Sequence, residues 1–129
     1  MQEDLGKLIL RVTVGGLLLL HGMHKLLNGI APIKAMVAAH GLPDALSYGV
    51  YLGEIVGPVM LILGLFSRIG AGLVAVNMIV ALVLSGASLV GLNAMGGLGI
   101  ELEAFYLLGA LSAALLGAGR YSIAGGRWN

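Results

Sequence analysis

An all-α integral membrane protein, built as a bundle of four transmembrane helices, is the fold class the sequence predicts. Three observations predict it. Of the 129 residues 59% are hydrophobic and only 10% are charged, against roughly 25% charged in an ordinary soluble domain. The mean hydropathy is +1.02. The apolar residues also fall into runs separated by the few charges, and about 20 apolar residues suffice to carry a helix across about 30 Å of hydrocarbon.

The first run covers about residues 5–23 and ends in His24-Lys25. The second, about 46–66, ends at Ser67-Arg68, and the third occupies about 69–90. The glycines of Gly91-Leu92-Asn93-Ala94-Met95-Gly96-Gly97 then interrupt the apolar run and read as a turn. The fourth span, about 101–118, is short and carries Glu101 and Glu103 at its start, so its first turn is expected at the interface. One domain over residues 1–129 accounts for the whole length. Acids precede the lysine in Met1-Gln2-Glu3-Asp4-Leu5-Gly6-Lys7 and no Ala-x-Ala-like site follows, so the first run is expected to stay as an anchor, not to be cleaved as a signal peptide.

Cations set the orientation. Lys7, Arg68, Arg120 and Arg127, with Arg11 just inside, lie at the chain ends and the second connection; the first connection has Lys25 and Lys34, and the third has none. By the positive-inside rule both termini are expected to be cytoplasmic. The long first connection, about residues 24–45, is then extracytoplasmic. Its apolar series Ile30, Ile33, Met36 and Val37 fits a short helix lying on the outer membrane surface, and an ordinary loop capping the bundle fits as well.

Composition excludes several functions. A formal charge of +1, with no basic run, excludes nucleic acid as a partner. The absence of cysteine removes disulfides, Cys-based zinc or iron–sulfur sites and any thiol relay in this chain.

Glu54 is the most informative residue, because it sits mid-span in a run otherwise without charge. A carboxylate there costs about 2.5 to 3.5 kcal/mol on insertion scales, so it needs a partner, water or a proton. It also lies within Gly53-Glu54-Ile55-Val56-Gly57, a G-x-x-x-G that allows close helix approach, read here chiefly as packing within one chain. At about 1.5 Å rise per residue, Arg11 lies about 9 Å from the cytoplasmic edge, Asn77 about 12 Å, Glu54 about 18 Å and His21 about 24 Å. The four form a ladder in depth, and Arg11, Gly15, Leu18, Gly22 and Lys25 share one helical stripe. Arg11 is the expected ion-pair partner of Glu54. Alternatively, Arg11 snorkels to phosphates and a protonated Glu54 bonds Tyr51, Ser47 or Asn77. His21 and His24, close in depth to Glu101 and Glu103, are the weak candidates for a metal, but their angles favour an interfacial hydrogen-bond cluster.

Arg11-x-x-x-Gly15, His21-Gly22-x-x-Lys25-Leu26, the mid-span Glu54, Gly64-Leu65-Phe66-Ser67-Arg68 and Gly117-Ala118-Gly119-Arg120-Tyr121-Ser122-Ile123 together resemble the DoxX family over nearly the whole chain. Ala118 departs from the pattern, where proline often stands between the two glycines, which puts the last helix stop in doubt. The resemblance implies a four-helix inner-membrane protein. One relative is a membrane subunit of a thiosulfate:quinone oxidoreductase, and others are linked to oxidative-stress or redox assemblies.

With the ladder, the resemblance points to a membrane subunit of a redox system that holds a quinone or another lipophilic molecule, or docks a redox-enzyme partner. Glu54 and His21 are the expected proton-exchanging groups. Arg11, His21, Lys25, Glu54 and Asn77 are the expected binding residues. No intrinsic cofactor is implied beyond a quinone. Two alternatives stay open: a proton, cation or solute transporter acting as a homo-oligomer, and a scaffold without chemistry.

Overall fold

A computed structural model describes residues 2–85, 91–92, 94, 96–97, 99–123, 126 and 128–129. Among these residues the chain is all helical: α1 (Gln2–Asn28), α2 (Ala31–Ala39), a 3-10 turn (Asp44–Gly49), a π segment (Leu52–Val56), α3 (Gly57–Leu63), α4 (Ser67–Ser85) and α5 (Glu101–Leu116). Three stretches are long and apolar enough to cross a membrane: Gln2–Asn28, Asp44–Leu63 and Ser67–Ser85. Helix α5, at the place of the expected fourth span, has 16 residues and packs along α4 and α1.

Several expected boundaries move. Helix α1 runs through His24-Lys25 to Asn28, placing Lys25 in the bundle rather than in a loop. Glu3 and Asp4 in its first turn and Lys25 in its last both complement the helix dipole. The second span begins at Asp44 and ends at Leu63. There Gly64, at φ +71°, closes a Schellman turn with Gly64 N–H on Leu61 O and Leu65 N–H on Met60 O. Ser67-Arg68 open α4 instead of ending the second span. The expected end of the third span at residues 86–90 lies outside the described residues, as do Asn93 and Met95 of the expected turn.

Packing between the helices is carried by small residues. The core joins Val14, Leu18, Leu61, Ala71, Val74, Ala75, Met78, Tyr106, Ala110 and Ala113. Large side chains such as Leu27, Phe105 and Leu115 point outward and are exposed. Lipid tails are as apolar as leucine, so helices in a bilayer associate through close packing of small residues, which this inside-out distribution serves. The stripe read on α1 is the buried one: Arg11, Gly15, Leu18 and Gly22 are all buried.

The second span is the irregular element. Pro58 has no N–H to give the carbonyl of Glu54 four residues earlier. The backbone takes up the mismatch as a π segment, in which Gly57 N–H reaches Leu52 O. Such insertions bend a helix and re-aim its side chains. Gly22 packs directly against this segment: a Cβ there would collide with the Glu54 carbonyl. At Gly15 a Cβ would stand 2.8 Å from Pro58 O.

Residues after α5 fold back across the end of the bundle that carries the α3–α4 turn. Ile123 N–H donates to Leu63 O at 3.0 Å and Arg68 N–H to Trp128 O at 3.0 Å. Ser67 N–H donates to Asn129 Oδ1 at 3.0 Å, and Arg120 N–H to Asp4 Oδ1 at 3.1 Å. The tail thereby satisfies carbonyls at the end of α3 and amides at the start of α4 that those helices leave unpaired. Gly117, at φ +81°, stops α5 without the proline missing at Ala118.

Replacing Gly22 tests the close approach. Gly22→Ala should destabilise the protein by about 1 to 3 kcal/mol, the range for overpacking, because the obstructing atom is backbone. Gly16→Ala, where nothing lies within 4 Å, should be neutral or slightly stabilising. Thermal melting of the two variants in the same detergent checks the contrast.

Candidate ligand-binding site

Glu54 projects from the π segment into the bundle and is 5% exposed. Its Oε1 is ion-paired with Lys25 Nζ, and its Oε2 accepts a hydrogen bond from Asn77 Nδ2 at 3.1 Å. Three elements therefore converge on one carboxylate: α1 through Lys25, the second span through Glu54 and α4 through Asn77. Close approach makes this possible. A Cβ at Gly53 would clash with the Asn77 side chain, so glycine beside Glu54 lets α4 come near.

The expected Arg11–Glu54 ion pair is not formed; Lys25 takes that place. Arg11 is fully buried, and its Nη1 donates to Leu61 O at 2.9 Å while Nη2 donates to Tyr121 O. It neither snorkels outward nor lines the cavity beside Glu54. Its charge sits at the C-terminal end of α3, where the helix dipole and unpaired carbonyls favour a cation. The Nε of Arg11 has no hydrogen-bond partner. Arg11 and Lys25 share a stripe of α1 about four turns apart, and it is Lys25 that lies level with Glu54, while Arg11 lies level with Leu61.

His21 lies on the far side of the pair. Its ring packs edge-on against Tyr106, with centroids 5.9 Å apart and planes at 83°. His24 accompanies Asn28, whose Nδ2 donates to the His24 carbonyl at 2.9 Å. Among the described residues no group of three or more His, Cys, Asp or Glu is placed to hold a metal ion.

A cavity of about 790 Å³ opens beside the cluster. Its polar lining residues are Lys25, Ser47, Glu54, Asn77, Ser85 and Glu103; its apolar walls include Leu46, Val50, Leu73, Val76, Val80 and Leu84. Ile33, Met36, Val37 and Leu42 close it from the side of α2. The apolar series in the first connection does form a helix, started by Pro32 in its first turn. It ends in a Schellman turn with Gly41 N–H on Ala38 O and Leu42 N–H on Val37 O. Lys34 ties α2 to the 3-10 turn, donating to Tyr48 Oη at 2.7 Å with Asp44 at 3.9 Å. The hydrogen bond to Tyr48 holds the Lys34 ammonium above its ordinary pKa, against the opposing effect of desolvation.

A second, smaller cavity of about 120 Å³ lies across the Lys25–Glu54 pair, lined by His21, Glu103 and Tyr106 among others. Glu103 and Tyr106 were not read as neighbours of Glu54. The sequence offers no signal for it, because α5 follows a long glycine-rich connection that leaves its rotation open.

The arrangement is that of an all-helical membrane protein with a charged cluster in the wall of a largely apolar cavity. The DoxX family model matches residues 6–87, more than half of the chain, and the chain belongs to the DoxX family. The match spans Arg11, His21, Lys25, Glu54 and Asn77 and stops before α5, so the Gly117 to Ile123 motif lies beyond it. No curated protein and no solved structure matches the chain.

The pair can be tested by a double-mutant cycle. Lys25→Met and Glu54→Gln should each destabilise by about 3 kcal/mol, since each strands a partly buried partner. Lys25→Met combined with Glu54→Gln should recover most of the sum. Asn77→Ala should cost about 1 kcal/mol or less. Denaturation in mixed micelles measures all four.

Proposed function

We propose that this DoxX protein is a four-span plasma-membrane subunit of a redox system, with both termini cytoplasmic, that holds a quinone or similar lipophilic molecule in the larger cavity. The observation carrying this reading is the placement of the Lys25, Glu54 and Asn77 cluster in the wall of a largely apolar cavity of about 790 Å³. Ligand sites typically measure about 300–1,000 Å³, mostly apolar with a few convergent polar groups. A quinone headgroup presents two carbonyl acceptors on a flat apolar ring. Lys25 Nζ and Asn77 Nδ2 are donors suited to one carbonyl, and Glu54 is the group beside it able to exchange a proton. Electrons would come from a redox-enzyme partner. Arg11, by contrast, serves the fold in this reading.

Purified protein in lipid nanodiscs should melt higher with decylubiquinone, and an organic extract should contain quinone. Lys25→Met and Glu54→Gln, scored per folded molecule, should weaken binding about ten- to a hundredfold, as expected for a lost charge-assisted hydrogen bond. Absence of both the shift and the extracted quinone would sink the reading. For the orientation, Gln2→Cys should label only from the cytoplasmic face and His40→Cys only from the opposite one.

A further inference from the structure

The smaller cavity has no part in holding the ligand, yet it shares Lys25, Glu54 and Glu103 with the larger one. Both cavities are lined by Lys25, Glu54, Ala81 and Glu103, so the Lys25–Glu54 pair forms the partition between them. Apart from its polar residues the larger cavity is walled by aliphatic side chains, which give water few partners. The smaller one, at about 120 Å³, gathers Lys25, Glu54, Glu103, His21 and Tyr106 together with the apolar Leu18, Met78, Ala81 and Leu102. At about 30 Å³ per water it has room for about four, and a water needs two to four polar partners, which this lining supplies.

Charge counting sharpens the point. The titratable and charged groups facing Glu54 are His21 and Lys25 from α1, Tyr51 from the second span, and Glu103 and Tyr106 from α5; α4 contributes the neutral Asn77 and Met78. Two carboxylates and one ammonium line both cavities, so acids outnumber fixed cations there by one. Glu103 stands in the first turn of α5 and is partly exposed, whereas Glu54 is buried. Glu103 is therefore placed to pass protons between solvent at that end of the bundle and the buried pair.

We infer that the smaller cavity is a water-filled proton passage, in which Glu103 relays a proton between solvent and Glu54 across Lys25. The proton comes from bulk water, binds a carboxylate oxygen of the Glu54–Glu103 set, and leaves by the same route; no electron moves. The use made of that proton rests on the quinone reading, but the passage itself does not, and its test omits any quinone.

Infrared spectroscopy of the protein in nanodiscs, titrated in pH without added ligand, reads the protonated carboxyl band directly. Wild type should show one such band that titrates and shifts promptly in D2O. Glu54→Gln and Glu103→Gln should each abolish or displace it, Glu103→Asp should retain it, and Glu101→Gln should leave it unchanged. A band indifferent to Glu103→Gln would overturn the relay, and a wild-type band that does not exchange in D2O would overturn the wet passage. The D2O measurement needs no variant, so it decides even if Glu103→Gln fails to fold. Proton exchange without quinone binding would discard the proposed ligand and keep the passage; the reverse result would do the opposite.

Discussion

Pro58 has no N–H for the carbonyl of Glu54, and hydrocarbon supplies no water to replace it. Every backbone group in a membrane span must find a partner inside the protein, so a proline in the interior forces an adjustment somewhere near it. Here the adjustment is the π segment at Leu52–Val56, and its consequences spread outward. The segment turns Glu54 toward α1 and α4, Gly22 lets α1 lie against the Glu54 carbonyl, and Gly53 admits Asn77. A regular helix through this region would present a different face to α1. The cluster at the cavity is thus a product of backbone repair as much as of side-chain choice.

Arg11 solves a matching problem at the other end of the same span. Helix α3 stops at Gly64, leaving carbonyls that need donors, and Arg11 supplies one to Leu61 while reaching the tail at Tyr121. A Cβ at Gly64 would stand 2.6 Å from Arg11 Nη1, so the glycine serves the turn and also makes room for the guanidinium. The charge is held by carbonyl dipoles and a helix terminus, with no carboxylate among its hydrogen-bond partners. Arg11 from α1 and Glu54 from the second span therefore do separate work, one closing the end of α3 and one lining the cavity.

Much of this was legible in the sequence, for definite physical reasons. Composition and the length of the apolar runs determine a helical membrane protein, and the 3.6-residue period correctly picked out Arg11, Gly15, Leu18 and Gly22 as the buried stripe of α1. The isolated carboxylate drew attention to Glu54 because its insertion cost is a property of the residue alone. Partner choice was not legible. Depth is a single coordinate, and Arg11 and Lys25 lie on the same stripe; the π segment, which sequence periodicity does not encode, decided which of them meets Glu54. The rotation of α5, and with it the positions of Glu103 and Tyr106, depends on a connection whose geometry no local signal specifies.

Stability alone gives a weak account of the Lys25–Glu54 pair. Replacing a buried ion pair by well-packed apolar residues is often neutral or stabilising, by about 1–4 kcal/mol, because desolvation offsets the Coulombic attraction. The argument is stronger in a bilayer, where leucine would also spare the insertion penalty of two charges. If packing were the sole requirement, the glycines at Gly22 and Gly53 would bring apolar surfaces together equally well. They instead bring a carboxylate, an ammonium and an amide together in the wall of a largely apolar cavity, with a second, smaller cavity sharing Lys25 and Glu54. A carboxylate held there is buried and yet borders two cavities, an arrangement that packing alone does not require.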